Sequence, residues 1–108
     1  MRRIKLVAGL VLLMAPGAAA ADDWRYCLAA APAEHKVYMS GTFQSSAPIE
    51  TVQTAFGRTL SQLGVEYGSV QCPRADSQAT LSAMQQTAVG FNREMGNKPV
   101  RLDWKPPR

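Results

Sequence analysis

Val65-Glu66-Tyr67-Gly68-Ser69-Val70-Gln71-Cys72-Pro73 is the stretch of sequence on which the fold depends. Its valines and tyrosine are typical of a strand, and it lies between two longer amphipathic segments. Pro73 ends it, because proline cannot donate a hydrogen bond to a sheet ladder. Cys72 is one of only two cysteines in the chain. A disulfide to Cys27 would therefore tie this central strand to an early segment of the chain.

Cys27 and Cys72 allow a single pairing within a monomer, and an exported chain with an even number of cysteines favours a disulfide. Closing a loop of about 46 residues would stabilise the fold by about 4 kcal/mol in the chain-entropy account. A metal pair or a redox site is the alternative. The sequence has no Cys-x-x-Cys motif, and two distant cysteines with one histidine do not form a zinc set. We predict a structural disulfide and no metal site.

Helical periodicity flanks the central strand on both sides. The first predicted helix has Pro48 in its first turn and stops at Gly64; the second is capped by Asp76 or Ser77 and stops at Gly96. The apolar residues that would face the core recur at steps of three and four, at Ile49, Val52, Phe56, Leu60 and Leu63 in the first helix and at Leu81, Met84, Ala88, Phe91 and Met95 in the second.

Alternating apolar and polar residues predict three further strands. The first covers residues 24–28, and residues 29–34 connect it to the second strand at residues 35–44. The last covers residues 100–104 and is followed by a disordered tail at residues 105–108. Residues 22–104 thus form one small disulfide-linked domain with the element order β-β-α-β-α-β.

This order predicts an α+β fold, a small two-layer sandwich with both helices on one face of a four-stranded mixed sheet. The second, third and fourth strands would run parallel, and the first would run antiparallel to them. The Cys27–Cys72 disulfide is easiest if the first and third strands are neighbours, because the two Cα atoms must lie within about 7 Å of each other. The sequence does not determine the strand order further.

Residues 1–21 have the pattern of a signal peptide. Three basic residues are followed by an apolar run at residues 6–15 that is too short to span a bilayer comfortably, and then by Pro16, Gly17 and four alanines. We predict cleavage by signal peptidase after Ala21, with cleavage after Ala20 or retention as an anchor as the alternatives. The mature protein would be periplasmic or secreted, with no membrane anchoring after cleavage.

Loss of this segment changes the charge of the protein. The full chain has 12 basic and 8 acidic residues, a formal net charge of +4. Arg2, Arg3 and Lys5 fall in the predicted signal peptide and no acidic residue does, so nine basic and eight acidic residues remain, a net charge of +1. Because the remaining charges are scattered, we expect no nucleic-acid partner.

The sequence contains no recognisable catalytic constellation. The single histidine, His35, lies beside Lys36 at a strand start, and Ser40 and Ser69 lack a nucleophile-elbow context. The carboxylates form no acid–base pair by spacing, and the glycines form no phosphate loop. We therefore predict no catalytic residues and no cofactor.

Tyrosines on the predicted sheet are the remaining signal. If one sheet face is open, Tyr38 and Tyr67 would lie on it beside small hydroxyl residues and could bind a sugar, a peptide or a partner protein. Arg74, just past the central strand, could add a contact to an anion. The alternative is that the two tyrosines pack in the core and at the edge of a small domain.

The segment Tyr38-Met39-Ser40-Gly41-Thr42-Phe43, which leads into the first helix, resembles the SPOR-type glycan-binding domains of the bacterial cell wall. The chain departs from that pattern by an extra N-terminal strand, by the lack of a second Gly-Pro-Phe-like segment and by a single strand between its helices. The resemblance implies glycan binding. We therefore weigh a small exported interaction or accessory protein of the cell envelope against a cell-wall glycan-binding module, with an enzyme third.

Overall fold

The computed structural model describes residues 23–107. The predicted signal peptide and its cleavage position at Ala21 lie outside these residues. The helices are α1 (Ile49–Gln62) and α2 (Gln78–Glu94), and a short 3-10 turn covers Pro32–Glu34. The strands are β1 (Asp23–Arg25), β2 (Leu28–Ala31), β3 (Lys36–Ser40), β4 (Phe43–Ser45), β5 (Val70–Gln71), β6 (Arg74–Ala75) and β7 (Lys98–Leu102).

The strands form two sheets, one of four strands in the order β5-β2-β3-β7 and one of three in the order β4-β1-β6. In the larger sheet β2 runs antiparallel to β3 and β5, whereas β3 and β7 are parallel. The smaller sheet is antiparallel throughout. These findings confirm the predicted α+β class, the four-stranded mixed sheet and the pairing of the first strand with the central one.

Two sheets arise because the first two predicted strands are each interrupted and the central one, predicted to end at Pro73, resumes after it as β6. The breaks lie at Tyr26-Cys27, at Gly41-Thr42 and at Cys72-Pro73. Backbone bonds still join the strands across them, since the amide of Tyr26 donates to Pro73 and the amide of Ser40 donates to Cys27. The predicted disulfide is confirmed. It joins two of these breaks, and the Cα atoms of Cys27 and Cys72 are 4.0 Å apart.

Several predicted boundaries were wrong. The first strand continues through Ala29 to Ala31 rather than ending at residue 28, and Pro32 then stops it. Residues 65–69 are irregular, because the chain leaves the sheet edge there and keeps one bond, from the Gly68 amide to the Ala30 carbonyl. The last strand begins two residues earlier than predicted, at Lys98, whose amide donates to His35.

Successive strand residues face two different helices. Cys27, Ala29 and Tyr38 belong to the cluster packed against α1, whereas Leu28 and Met39 belong to the cluster packed against α2. The prediction that both helices cover one face was therefore wrong. The connection from β3 through α1 to β5 crosses the sheet toward its β5 edge, whereas the connection from β5 through α2 to β7 crosses back toward its β7 edge. With the usual right-handed sense for both, helices on such reversed crossovers lie on opposite faces.

The α1 face holds the larger core. Val52, Phe56 and Leu60 are fully buried, as their spacing predicted. Trp104 follows β7 and places its ring edge-on to Phe56, with ring centroids 5.0 Å apart. Leu63, predicted as the last core residue of this helix, is exposed because it lies just past the end of α1. Within residues 23–107, neither helix combines the length and the apolar character needed to cross a bilayer.

Candidate functional site

The structure places the predicted binding tyrosines inside the domain. Tyr38 is 8% exposed on the α1 face, and its hydroxyl donates to Glu34 Oε1 at 2.6 Å. This hydrogen bond raises the pKa of Tyr38 above its usual value of 10.0, and burial and the charge of Glu34 act in the same direction. Because Tyr38 packs in the core beneath α1, the expectation that its ring lies on an open sheet face was wrong.

Tyr67 crosses the middle of α1. A Cβ at Gly57 would come within 2.5 Å of the Tyr67 hydroxyl, so the glycine provides room for the ring. Tyr67 is half-buried and packs against the same core as Tyr38. The fold therefore brings the two tyrosines to one face, and helix α1 covers that face.

Arg74 lies apart from both tyrosines, on β6. Its Nη1 donates to Asp23 Oδ2 at 3.3 Å, so its charge already has a partner. Arg25 is directly opposite Arg74 on β1 and approaches the same carboxylate at 4.0 Å. Arg25 is only 4% exposed, and its Nε and Nη1 find no hydrogen-bond acceptor among residues 23–107. The Asp23 carboxylate thus interacts with two guanidinium groups. The predicted site residues Tyr38, Tyr67 and Arg74 therefore do not form one site.

The surface that sequence reasoning missed is on α2. Ser77 caps this helix, its side chain accepting from the Thr80 amide at 3.1 Å. The predicted stripe is mostly not buried, because Leu81 is buried and Ala88 half-buried while Met84, Phe91 and Met95 are exposed. Phe91 and Met95 are 61% and 64% exposed. The structure thus leaves large apolar side chains of α2 on the surface.

Two amides occupy the buried side of α2 instead. Gln85 is buried, and its Nε2 donates to the Ser40 carbonyl at 2.9 Å. Asn92 is also buried; its Nδ2 donates to the Ala88 carbonyl, and its own carbonyl and Oδ1 both accept from Asn97. Ser40 is the last residue of β3, just before the break at Gly41-Thr42. Its buried carbonyl requires a hydrogen-bond donor that the neighbouring strand does not provide. The helix is therefore oriented by hydrogen bonding as well as by apolar burial.

An open groove results on the side of α2 that faces β5. It has a volume of about 620 Å³, and α2 contributes Met84 and Phe91 to one wall. Leu28 and Val37 from the sheet form part of the rest, and Ser69 and Gln71 lie at the edge. None of the lining residues is ionisable. Apolar patches of this kind on a small domain are typical of binding surfaces.

Candidates for metal or acid–base chemistry are not grouped in this part of the chain. Among residues 23–107, no three metal-ligating side chains lie together. His35 is exposed in the turn before β3, with a positive φ of 56°, and lies outside the lining of the groove. The arrangement can bury apolar surface of a partner, and the groove itself offers no group that could move a proton.

Comparison of the chain with known protein families, with curated proteins and with solved structures finds no match.

Proposed function

We propose that this protein is a small exported, non-catalytic binding protein that receives an amphipathic helix of a partner protein in the groove between α2 and β5. The orientation of α2 is the observation that carries the proposal. A helix that turns Gln85 and Asn92 inward and Met84, Phe91 and Met95 outward leaves apolar surface exposed to water at a cost. A partner that covers this surface would recover that free energy.

The spacing on α2 favours a helix as the occupant. Met84, Ala88, Phe91 and Met95 are separated by steps of four, three and four, which is the spacing of a coiled-coil seam. Such a seam packs against another helix lying alongside it at about 8–10 Å between axes. The groove runs beside this seam, and its lining carries no charge, so the contacting face of the occupant should be apolar.

Flexible methionines suit this use. Met84 and Met95 flank Phe91 on the exposed side of the helix, and unbranched thioether side chains adapt to partners of different shape. Phe91 would serve as the rigid anchor, since aromatic side chains supply large contact area at little entropic cost.

Export is part of the proposal and rests on two observations. The domain contains a disulfide. Disulfides persist in oxidising compartments and are rare in reducing ones. Residues 1–21 carry the sequence pattern of a signal peptide. We infer that the partner is an envelope or secreted protein.

A cell-wall glycan is the competing occupant, and no structural observation favours it. Tyr38 and Tyr67, the rings that would stack on a sugar, pack against the core beneath α1. The groove beside α2 has one aromatic residue, Phe91, and no ionisable one. A glycan site normally needs stacking surfaces together with several hydrogen-bonding groups, and this lining offers few of either.

Site-specific photo-cross-linking in the exporting cell tests the proposal. A photoreactive phenylalanine is placed at position 91 or 84, and a matched control is placed at Ala83, which is exposed on α2 but lies outside the lining of the groove. We expect positions 91 and 84 to cross-link one partner protein, with the linked peptide mapping to a segment whose apolar residues recur every three to four positions. Position 83 should give no such product.

A second measurement secures the outcome. The linked segment, made as a synthetic peptide, should bind the purified oxidised protein, and Phe91→Asp should weaken binding at least tenfold without unfolding the domain. Cross-links only to a second copy, equal products at position 83, absence of any product, or salt-resistant retention on purified cell-wall sacculi would each overturn the helix-binding proposal.

A further inference from the structure

The opposite side of α2 faces the edge strand β7 and forms a second groove of about 500 Å³. Ser82, Gln86 and Arg93 line it from the helix, and Arg101 lines it from β7. Its apolar lining is formed by Met39, Val89 and Pro99. This second groove therefore combines an apolar surface with polar and cationic walls, unlike the uncharged groove on the other side of the helix.

Charge in the second groove is of one sign. Arg93 and Arg101 both line it, and no carboxylate does. Within residues 23–107, neither guanidinium lies within 4.0 Å of a carboxylate, since the ion pairs there involve other residues. Lys98 adds a third cation, in a hollow that shares Arg93 with the groove. Asp103 lies in the hollow on the other side of Arg101.

Each arginine alone has an ordinary explanation. Arg93 is in the last turn of α2, where a cation interacts favourably with the helix dipole, and a charge such as Arg101 discourages pairing at a sheet edge. Neither effect explains why these two successive elements direct their cations to one groove with an apolar wall. Gln86 and Ser82 add donors that make no hydrogen bond within the described part of the chain.

The edge of β7 is unsuited to adding a further strand. The Lys98 amide donates to His35, so the backbone groups of Lys98 point toward β3 and those of Pro99 point away from it. Pro99 has no N–H to offer there, which interrupts the ladder that an added strand would need. A ligand in this groove must therefore bind through its end or its side chains.

We propose that the second groove binds the C-terminal carboxylate of a peptide chain, with Arg93 and Arg101 on the carboxylate and the last apolar side chain against Met39, Val89 and Pro99. Guanidinium groups recognise carboxylates by charge-assisted, often bidentate hydrogen bonds. The apolar wall favours a carbon-bearing anion over a bare one. This site shares no residue with the wall formed by Met84 and Phe91 and does not depend on the helix-binding proposal.

The probe for the test is N-acetyl-Ala-Ala-Leu with a free carboxylate, compared with the same tripeptide ending in an amide. Each is titrated into the oxidised, isotope-labelled protein, and NMR shifts of the arginine Nε–H and glutamine NH2 groups are followed. We expect saturable shifts at Arg93, Arg101 and Gln86, and at least about tenfold tighter binding of the carboxylate form.

Variants separate this site from others. Arg93→Gln and Arg101→Gln should each weaken carboxylate binding several-fold, and the double variant should remove it. Arg58→Gln, at an exposed arginine of α1, and Phe91→Asp should leave it unchanged. Equal binding of the amide form, equal shifts from inorganic phosphate at the same concentration, shifts centred elsewhere, or no saturation below about 10 mM would overturn the proposal.

Discussion

Helices α1 and α2 carry apolar residues at the same three-and-four spacing, yet only α1 buries its stripe. Val52, Phe56 and Leu60 of α1 have no exposed surface, whereas Phe91 and Met95 of α2 are more exposed than buried. Helical spacing therefore identifies an apolar side of a helix without showing what covers it. The two sheet faces differ, because α1 meets aromatic and aliphatic side chains while α2 must also supply a donor to the Ser40 carbonyl.

Truncating one phenylalanine in each helix gives the largest contrast. Phe56→Ala removes a fully buried ring that contacts Trp104, and we expect it to lower the free energy of unfolding by about 3–5 kcal/mol. Phe91→Ala should change stability by less than about 0.5 kcal/mol, because the ring is largely exposed. Urea denaturation of the oxidised proteins measures both.

The same pair of variants has an opposite expected effect on partner binding. Phe91→Ala should no longer bind the partner protein that cross-links through position 91. Phe56→Ala should still bind that partner under conditions where the variant is folded. A loss of several kcal/mol in Phe91→Ala would mean that Phe91 is part of the core in solution and would remove the contrast between the helices.

Gln85→Leu tests what orients α2. The substitution keeps side-chain volume but leaves the buried Ser40 carbonyl without its donor, so we expect a loss of about 1–3 kcal/mol in unfolding free energy. Gln86→Leu, at the exposed neighbouring glutamine, is the control and should be nearly neutral. If Gln85→Leu proves neutral or stabilising, the hydrogen bond does not hold the helix in this orientation.

The elements with local causes could be predicted from sequence. Helix α1 was recognisable from its stripe and from Pro48, and the disulfide from an even cysteine count together with the predicted signal peptide. The opposite placement of the helices could not be derived, because it depends on the strand order, which brings β2 between β3 and β5. Strand order is set by long-range pairing and leaves little trace in a single segment.

The candidate surface was harder to predict than the fold. Gln85 and Asn92 lie outside the apolar stripe predicted for α2, and a buried amide at Gln85 becomes favourable because the Ser40 carbonyl at the end of β3 lies beneath the helix. The same reasoning placed Tyr38 on an open face, because a strand pattern gives alternation but does not say which side is covered. The convergence of Arg93 and Arg101 likewise depends on the packing of α2 beside β7.

Glycines inside the two helices give a smaller contrast of opposite sign. A Cβ at Gly90 meets no atom within 4 Å, so Gly90→Ala should stabilise the protein by roughly 0.5–1 kcal/mol through helix propensity. At Gly57 the Tyr67 hydroxyl would lie 2.5 Å from the new Cβ, so Gly57→Ala must displace the ring and should destabilise. Thermal unfolding of both variants decides this, and a stabilising Gly57→Ala would show that Tyr67 is free to leave α1.

The smallest effect concerns alkaline pH and compares one tyrosine on each sheet face. Burial raises the pKa of Tyr26 on the α2 face, and the hydrogen bond to Glu34 raises the pKa of Tyr38 on the α1 face. Above pH 10 the unfolded chain releases these protons while the folded chain retains them. The contribution of each tyrosine to the free energy of unfolding is therefore fully present below that pH. It falls as the pH rises, by at most about 1.4 kcal/mol per pH unit for each tyrosine.

Tyr38→Phe and Tyr26→Phe should each reduce this dependence of the unfolding free energy on pH, measured by urea denaturation between pH 9 and about 11. Tyr38→Phe alone should also lose stability at neutral pH, because Glu34 then loses its donor. An unchanged slope in Tyr38→Phe would mean that the hydroxyl is not bonded to Glu34 in solution, and the two sheet faces would then not share this response to alkaline pH.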